Sequence, residues 1–466
     1  MTVLLMTTAP PSDAPWYLGK KLPPLGLSYV AGALEKAGFQ VQVLDNYMLK
    51  KPIDEVKELV KKLNPEIVGI TCGSATFRRC VETAKAVKEA LPSCKIVVGG
   101  WHASYVPDSI LEIPEIDFVV MGEGEQAMVE LVTRLTDKGK GLADNADITI
   151  LGVGYKKNGQ TVKNTPQYIK DLDQVPFPAR HLLPMELYDR TIEFLSVKPA
   201  DTMSIVRGCP FNCAFCETKK LWGNTCRTFS PNRVVDEIQY LQEKYNSKGI
   251  YFINDNFTIK KKVTEEICDE IIRRQLDVRW ACDTRPDLIS QELLRKMHAA
   301  GCETIWFGVE SGSPRMLERL NKRITLEQVT QAVKLCRKEH IQVACSFIMG
   351  IPSETVADME ESLKFALKLD PDWCRFNIYV AYPDSVLYEE VKQNKLYNRE
   401  EDFLLYVKTD QFDFESLSKI QMRFHMTFAK SPRRIIRKIK REGFFSTLKQ
   451  SYKLIKPPKP AKYTEK

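Results

Sequence analysis

The chain has 466 residues, more than one ordinary domain holds, and its composition, 44% hydrophobic and 27% charged, is that of a soluble globular protein. This balance excludes a chain that is disordered or of low complexity over most of its length, and no run of about 18 apolar residues predicts a membrane-spanning helix. The formal net charge of +8 is concentrated at the end, where residues 430–466 hold 13 Lys and Arg against two Glu.

The first 135 residues alternate short apolar strands with amphipathic helices. The opening MTVLLMTTAPPSD has no basic segment before its apolar run and predicts a buried strand, not a signal peptide. Further strands are predicted at 41–45, 67–71, 96–100 and 118–122. Strands that are apolar on both faces and alternate with helices indicate a parallel sheet covered on both sides. We therefore predict a Rossmann-like, doubly wound α/β domain over residues 1–140, with its ligand beyond the carboxyl ends of the strands.

Residues 141–200 are less regular. GYKKNGQTVKN predicts a β-hairpin with Asn158 and Gly159 at its turn, because this pair favours the backbone of a two-residue hairpin loop. DLDQVPFPARHLL predicts an extended, proline-containing linker. We expect this segment to join two domains.

A second alternating series follows the linker. Six strands, each followed by a helical pattern, are predicted at 203–206, 250–253, 278–282, 304–308, 343–350 and 375–380. They predict a partial (β/α)6 barrel over residues 201–390, with functional side chains on the loops that follow the strands. Residues 391–466 are predicted to form a helical extension that ends in the basic tail.

Three cysteines, Cys209, Cys213 and Cys216, stand at fixed offsets in RGCPFNCAFC, directly after the first strand of the second series. Thirteen cysteines without a secretion signal indicate a reducing, cytoplasmic compartment. Structural zinc takes four ligands, and Cys226, the nearest fourth thiol, has no CxxC partner. Three thiolates suit an iron–sulfur cluster with one iron open to another ligand. Buried free thiols and a zinc site remain as alternatives.

The CxxxCxxC loop, with an aromatic residue before its last cysteine, resembles the signature of the radical S-adenosylmethionine (SAM) enzymes. The resemblance implies that the three cysteines hold three irons of a [4Fe–4S] cluster and that SAM chelates the fourth. Cleavage of SAM would then give a 5′-deoxyadenosyl radical that removes a hydrogen atom from the substrate. The resemblance also implies SAM contacts near or after the strand ends, from Phe215, Asp255, Asn256, Glu310, Ser311, Gly350 and Ile351.

By the same resemblance, each of these residues has an expected place on SAM. Asp255 and Asn256 would lie near its amino group, and Glu310 or Ser311 would bond its ribose or methionyl end. The backbone of Phe215 and of the Gly350–Pro352 turn would approach the adenine. Taken singly, DNF could be a helix cap and GIP an ordinary turn.

Three stretches of the first domain, PPLGLSYVAGALEKAGFQVQVLD, VGGWHAS and MGEGEQAMVELV, are similar to the cobalamin (B12) binding domain that precedes the barrel in one radical SAM subfamily. The resemblance covers residues 1 to about 390. It implies a cobalamin site at the strand ends, formed by Gly26, Thr71, Ser74, Gly99, Gly100, His102, Gly122, Glu123 and Gly124. A generic nucleotide site is the alternative, although no G-x-G-x-x-G follows the first strand.

One motif of cobalamin domains is missing. Domains that ligate cobalt through histidine carry D-x-H-x-x-G, which does not occur in this chain. We therefore expect no protein histidine on the lower face of cobalt, which would be open or screened by TCGSATF residues such as Thr71, Ser74 or Thr76. Such a cobalt favours radical methylation over heterolytic methyl transfer.

Three functions follow from these observations. The first is methylation of an unactivated carbon through the deoxyadenosyl radical and methylcobalamin. The second keeps both cofactors but forms a ring or oxidises its substrate, as in the similar porphyrin-ester cyclases. The third is a zinc-stabilised binding protein. The missing motif favours the first.

The expected partners are a small molecule, such as a lipid or a tetrapyrrole, and an electron donor such as ferredoxin or flavodoxin. The basic C-terminal stretch SPRRIIRKIKREGFF is amphipathic. It predicts either a solvated helix that closes the barrel or contact with an anionic membrane surface. No nucleic-acid-binding fold is visible, and nucleic acid is not expected as a partner.

Overall fold

The computed structural model of the chain describes residues 2–10, 22–136, 148–253 and 256–442. Seven strands form the first sheet: β1 (Thr2–Thr7), β2 (Gln40–Asp45), β3 (Ile67–Thr71), β4 (Lys95–Gly99), β5 (Phe118–Val120), β6 (Val153–Lys157) and β7 (Gln160–Lys163). Their spatial order is β2-β1-β3-β4-β5-β6-β7, and the first five pair in parallel. The strand order reverses between β1 and β3, which is where doubly wound sheets bind ligands at their carboxyl edge.

Helices cover both faces of this sheet. They are α1 (Leu25–Lys36), α2 (Asn46–Leu49), α3 (Ile53–Leu63), α4 (Phe77–Ala90), α5 (Trp101–Tyr105), α6 (Pro107–Leu111) and α7 (Gly124–Thr136). One apolar core lies under α3 and α4, and a second lies under α1 and α7. The doubly wound architecture predicted from the alternating pattern is confirmed.

The predicted hairpin is present, with Asn158 and Gly159 at positive φ angles of 50° and 76°. Its strands β6 and β7 continue the first sheet antiparallel to β5, so it belongs to this sheet and not to the linker. The linker itself contains short 3-10 turns and is fastened along α1. The Ala179 N–H donates to the Ser28 carbonyl at 2.9 Å. The linker also passes so close to Gly32 that a Cβ there would lie 2.6 Å from the Phe177 carbonyl oxygen.

The second part of the chain contains β8 (Ala200–Met203), β9 (Val206–Arg207), β10 (Arg227–Thr228), β11 (Gly249–Phe252), β12 (Arg279–Thr284), β13 (Cys302–Glu310), β14 (Gln342–Met349) and β15 (Trp373–Ile378). Six of these strands form one sheet in the order β15-β14-β13-β12-β11-β8, and all its pairs are parallel. This is the expected partial barrel.

The barrel helices are α8 (Thr218–Trp222), α9 (Pro231–Tyr245), α10 (Lys261–Arg273), α11 (Gln291–Ala299), α12 (Pro314–Arg319), α13 (Leu326–Lys338) and α14 (Val356–Leu369). The first barrel strand ends at Met203, three residues before the predicted strand does. Residues 206–207 leave the sheet and pair antiparallel with residues 227–228 instead. At this point the chain buries Arg207 against carboxylates of the first domain.

The C-terminal part contains β16 (Val380–Ala381), α15 (Val386–Gln393), β17 (Tyr397–Glu401), β18 (Leu404–Val407), α16 (Phe414–Ala429) and α17 (Pro432–Glu442). The segment predicted as a helical extension, residues 391–466, contains the helices α16 and α17 and also two strands, β17 and β18, which form an antiparallel sheet with β16. The side chains of β17 alternate between half-buried and exposed, but its sequence YNREE has no alternation of apolar and polar residues that would predict a strand. Asp402 and Phe403, both at positive φ, make the two-residue turn. Within the described ranges, no helix is both long and apolar enough to cross a bilayer.

Candidate active site

The three cysteines lie on a loop of residues 208–226, the cysteine loop, whose base is closed by the pairing of Arg207 with Arg227. Gly208 has φ +91°, and a Cβ there would lie 2.3 Å from the Thr225 carbonyl oxygen, so the loop can start only with glycine. The Ala214 N–H donates to the Leu320 carbonyl at 2.9 Å, and the Ala214 carbonyl accepts from the Leu387 N–H at 3.0 Å. The loop is thus held by the turn after α12 and by the start of α15.

Cys209, Cys213 and Cys216 are half-buried, and none forms a disulfide bond within the described ranges. Burial raises the pKa of the Cys213 thiol, and the nearby Lys322 and Arg285 cations act in the opposite direction. These cations favour the thiolate, the form that binds iron. No three His, Cys, Asp or Glu side chains of the described residues could hold a single metal ion. A [4Fe–4S] cluster would bind each thiolate through a different iron, which this donor set fits.

Asn256 follows β11 and touches the cysteine loop. Its Nδ2 donates to the Cys209 Sγ at 3.6 Å, while its buried Oδ1 has no partner among the described residues. A buried acceptor of this kind normally finds a donor. It would suit the amino group of a ligand beside the cluster. Asp255 lies outside the described residues.

Glu310 and Lys322 form a buried ion pair beside the loop, with 2.8 Å between Glu310 Oε1 and Lys322 Nζ. Glu310 ends β13 at φ +72°, an uncommon conformation for a glutamate and one often kept at functional sites. A Cβ on Gly308 would lie 2.4 Å from Glu310 Oε1, so glycine leaves room for the pair. Lys322 also lies 5.9 Å from the Phe215 ring centroid. Sequence reasoning missed Lys322, because its turn carries no motif.

The remaining SAM candidates have partners of their own. Ser311 Oγ lies 3.2 Å from Ser362 Oγ and accepts from the Ser313 N–H at 3.1 Å. The N–H groups of Gly350 and Ile351 donate to Glu354 Oε2 at 2.6 and 3.1 Å. Burial raises the pKa of Glu354 to about 7. These backbone donors are therefore occupied within the strand-end turn.

Arg285 follows β12 and lies beneath the loop. Its guanidinium is 3.8 Å from the Phe211 ring centroid and forms a two-bond pair with Asp287 at 2.9 and 3.0 Å. Arg285 is only 3% exposed, and its Nη1 has no partner among the described residues. Arg285 is therefore a buried support of the loop with one unpaired donor.

Five of the predicted cobalamin residues lie at the carboxyl ends of β3 and β4: Thr71, Ser74, Gly99, Gly100 and His102. A Cβ on Gly100, at φ +100°, would lie 2.8 Å from the Cys72 carbonyl oxygen. His102 Nδ1 is 3.1 Å from Ser74 Oγ, and its buried Nε2 has no partner among the described residues. Thr8, which follows β1 and is not among the predicted cobalamin residues, also has a buried Oγ1 without a partner among the described residues. Two unpaired polar atoms at the ligand-binding edge fit a polar-edged ligand such as cobalamin.

The C-terminal sheet covers this edge. The Phe403 ring, at the β17–β18 turn, lies 5.6 Å from the His102 ring, the Phe77 ring lies 4.6 Å from it, and the two phenyl rings are 6.1 Å apart. Arg78 and Asp402 add an ion pair at 3.4 Å. The histidine therefore belongs to a three-ring aromatic cluster that joins the first domain to the C-terminal sheet. Gly26, in contrast, is exposed on α1 and has no atom within 4 Å of a built Cβ.

The environment of His102 predicts a pH-dependent stability. Burial lowers its pKa to about 4. Below pH 6.5 the unfolded chain gains a proton at this histidine that the folded chain does not, so stability falls as the pH drops toward 4. Between pH 7.5 and 5 we expect wild type to lose ~2 kcal/mol more than His102→Gln. Urea unfolding of both proteins measures this difference, and identical pH profiles would contradict it.

Gly122, Glu123 and Gly124, predicted as cobalamin residues, lie at the junction with the barrel. Glu123 Oε1 pairs with Arg207 Nη1 at 3.1 Å and with Arg227 Nη1 at 2.8 Å. A Cβ on Gly122 would lie 3.3 Å from Pro166 Cβ. This turn at the end of β5 thus joins the carboxyl edge of the first sheet directly to the base of the cysteine loop.

Comparison with known proteins agrees with both halves of this arrangement. The model of the radical SAM superfamily matches residues 203–366, and that of the B12 binding domain matches residues 17–132. An uncharacterized methyltransferase of Pyrococcus horikoshii is 33% identical over 446 residues, which are 94% of this chain and 95% of the relative.

Two further proteins are similar over most of the chain. The anaerobic magnesium-protoporphyrin IX monomethyl ester cyclase of Rubrivivax gelatinosus is 32% identical over 399 residues, which are 84% of this chain and 68% of the relative. The structure of the cobalamin-dependent SAM radical enzyme OxsB, with aqua-cobalamin and SAM bound, has a TM-score of 0.75 at 18% identity and covers 97% of this chain and 70% of its own. At that identity the likeness is one of fold.

Proposed function

This chain belongs to the radical SAM enzymes that carry an N-terminal B12-binding domain, and from that premise we propose that it methylates an unactivated carbon. Its cofactors are those of the family: a [4Fe–4S] cluster, SAM and cobalamin. When they are bound, cleaved SAM supplies the radical that removes hydrogen from the substrate, and cobalamin supplies the methyl group.

One observation carries the proposal: the ligand edge of the first sheet and the cysteine loop are in direct contact through Glu123 and Arg207. A substrate carbon bound between them would face the radical source on one side and the methyl source on the other. Proximity of this kind accounts for a large part of the rate in reactions between two bound groups.

The chain's own residues have distinct tasks in this proposal. Cys209, Cys213 and Cys216 would bind three irons, while the unpaired Oδ1 of Asn256 would accept from the amino group of SAM. Lys322 and Glu310 would meet the charged methionyl end as a neutral buried pair. The aromatic cover of Phe77 and Phe403 would keep water from the ligand edge.

Anaerobic incubation with methyl-labelled SAM tests this function. The reconstituted enzyme is incubated with the labelled SAM, a chemical reductant, and a water-soluble or organic extract of the cells in which the protein naturally occurs. The products are then separated. We expect deoxyadenosine, S-adenosylhomocysteine and a labelled product to appear together. Deoxyadenosine without label in any product would contradict methylation.

The second candidate function is ring formation or oxidation without methyl transfer, and its support is the 32% identity to the Rubrivivax cyclase. The two candidates differ in one product of the same incubation. A cyclase would form deoxyadenosine but no S-adenosylhomocysteine.

The proposal includes two partners: a small-molecule substrate of lipid or tetrapyrrole type, and an electron donor such as ferredoxin or flavodoxin. It also assigns the enzyme to the cytoplasm, in contact with anionic membrane surfaces. Helix α17 supports that contact, since it carries six Lys and Arg and exposes Ile435 and Ile436 by 38% and 55%.

Vesicle sedimentation tests the membrane contact. We expect the protein to sediment with vesicles rich in phosphatidylglycerol but not with phosphatidylcholine vesicles, and to dissociate at high salt. Ile436→Asp should weaken the binding, because it replaces one of the two exposed isoleucines of α17 with a negative charge that the anionic surface repels. Equal sedimentation with both vesicle types would contradict the proposal.

A further inference from the structure

Four buried charged side chains form a closed cluster between the two sheets. Glu123 and Glu125 come from the end of β5 and the start of α7, and Arg207 and Arg227 stand at the two ends of the cysteine loop. Glu123 pairs with both arginines, and Glu125 Oε1 pairs with Arg207 Nη2 at 2.5 Å. All four side chains are at most 8% exposed, and their formal charges cancel. We call these four residues the interdomain clamp.

Other groups add hydrogen bonds to the clamp, although the buried Nε atoms of Arg207 and Arg227 have no partner among the described residues. The Ile169 N–H donates to Glu123 Oε2 at 2.5 Å, and Arg227 donates to the carbonyls of Ile169 and Trp222 at 2.7 and 2.8 Å. The guanidinium of Arg207 lies 5.1 Å from the Trp222 ring centroid and 5.3 Å from that of Tyr29 on α1. The clamp therefore joins the first sheet, the linker and both ends of the cysteine loop.

The glycines around the clamp allow this close approach. A Cβ on Gly223, at φ +76°, would lie 2.8 Å from the Tyr168 ring. Gly122, also at positive φ, packs against Pro166 and the Leu221 carbonyl. The GEGE sequence thus has a contact that explains both its glutamates and its first glycine without any ligand.

We propose that the interdomain clamp is a positioning device that sets the distance and orientation of the cysteine loop relative to the ligand edge of the first sheet. The proposal rests on the function proposed above, in which both cofactors act on one substrate carbon. A buried ion-pair cluster contributes little net stability, because desolvation offsets its Coulomb energy, but it tolerates few alternative arrangements. It therefore serves better to define a geometry than to hold two domains together.

The chain contains a matched control for this idea. Glu237 on α9 also forms ion pairs with two arginines, Arg180 and Arg233, each at 2.9 Å. Its side chain is 2% exposed, and that of Glu123 is 1% exposed. Its partner Arg180 comes from the linker, and neither residue contacts the cysteine loop through these bonds. Glu123→Gln and Glu237→Gln thus remove the same charge from the same kind of pair at two different places.

The first measurement is hydrogen exchange of the substrate-free holoenzyme. In Glu123→Gln we expect the amides of residues 208–226 to exchange about tenfold faster or more, since the charge-assisted bonds from both arginines are weakened. Glu237→Gln should leave these amides unchanged. Equal acceleration of the cysteine loop in both variants, or in neither, would overturn the proposal.

The second measurement is the magnetic interaction between the reduced cluster and cob(II)alamin, which reports the distance between them by pulsed electron paramagnetic resonance. Wild type and Glu237→Gln should share one narrow distance distribution, and Glu123→Gln should broaden it. An unchanged distribution in Glu123→Gln would refute the positioning role. If Glu123→Gln does not fold, Arg227→Lys, which keeps the charge but loses the planar fork, replaces it.

These outcomes are separable from those of the proposed function. A narrow wild-type distribution that broadens in Glu123→Gln supports the clamp even if no methyl label reaches a product. Label in a product together with an unchanged distribution in Glu123→Gln supports the function and rejects the clamp.

Discussion

Cys213→Ala is expected to abolish iron binding at the cysteine loop and, with it, all formation of deoxyadenosine. Two thiolates leave one of the three irons without a protein ligand. After anaerobic reconstitution, iron and sulfide analysis and the visible absorption of the cluster measure the loss. Wild type should hold four irons per cluster and cleave SAM when reduced.

Cys226→Ala is the control for this prediction. Cys226 lies on the same loop and is the nearest thiol that could join the three cysteines as a fourth zinc ligand. A structural zinc site would therefore need it. We expect the variant to keep its iron and its deoxyadenosine formation. Loss of metal from Cys226→Ala, with zinc and no sulfide in wild type, would support the zinc-stabilised binding protein instead.

Lys322→Met is expected to lower the free energy of unfolding of the barrel by about 3–5 kcal/mol, because it leaves Glu310 buried without its cation. Both side chains are less than 10% exposed, so water cannot replace the lost partner. The remaining negative charge would also repel the carboxylate of SAM. Denaturant unfolding and SAM binding, measured by equilibrium dialysis of the reconstituted enzyme, test the two effects.

The double variant Glu310→Gln/Lys322→Met separates pairing from packing. If the ion pair is responsible, removing both charges should restore most of the stability lost in Lys322→Met, because no unpaired charge remains. A double variant as unstable as the single one would indicate that Lys322 acts through the packing of its methylene chain. Gln328→Met, at an exposed capping position of α13, should not reproduce the loss of SAM binding.

Local patterns in the chain predicted much of the fold. Short apolar strands alternating with helices indicated two parallel sheets, and Asn158-Gly159 indicated the hairpin turn, because backbone preference and periodicity depend on near neighbours. The same reasoning failed for β17, where charged residues mask the alternation, and for residues 204–206, which leave the sheet to accompany Arg207.

The sequence by itself determined the chemistry that depends on spacing: three thiols at CxxxCxxC, the missing histidine motif and the order of the two domains. Only the tertiary structure decided which charged groups meet. The sequence groups Glu123 with its neighbouring glycines as a ligand contact, yet it pairs with Arg207, 84 residues later. Lys322 stood in no motif, yet it neutralises Glu310. Such pairs form because a buried charge requires an opposite one close in space, and the fold, not sequence spacing, brings the two together.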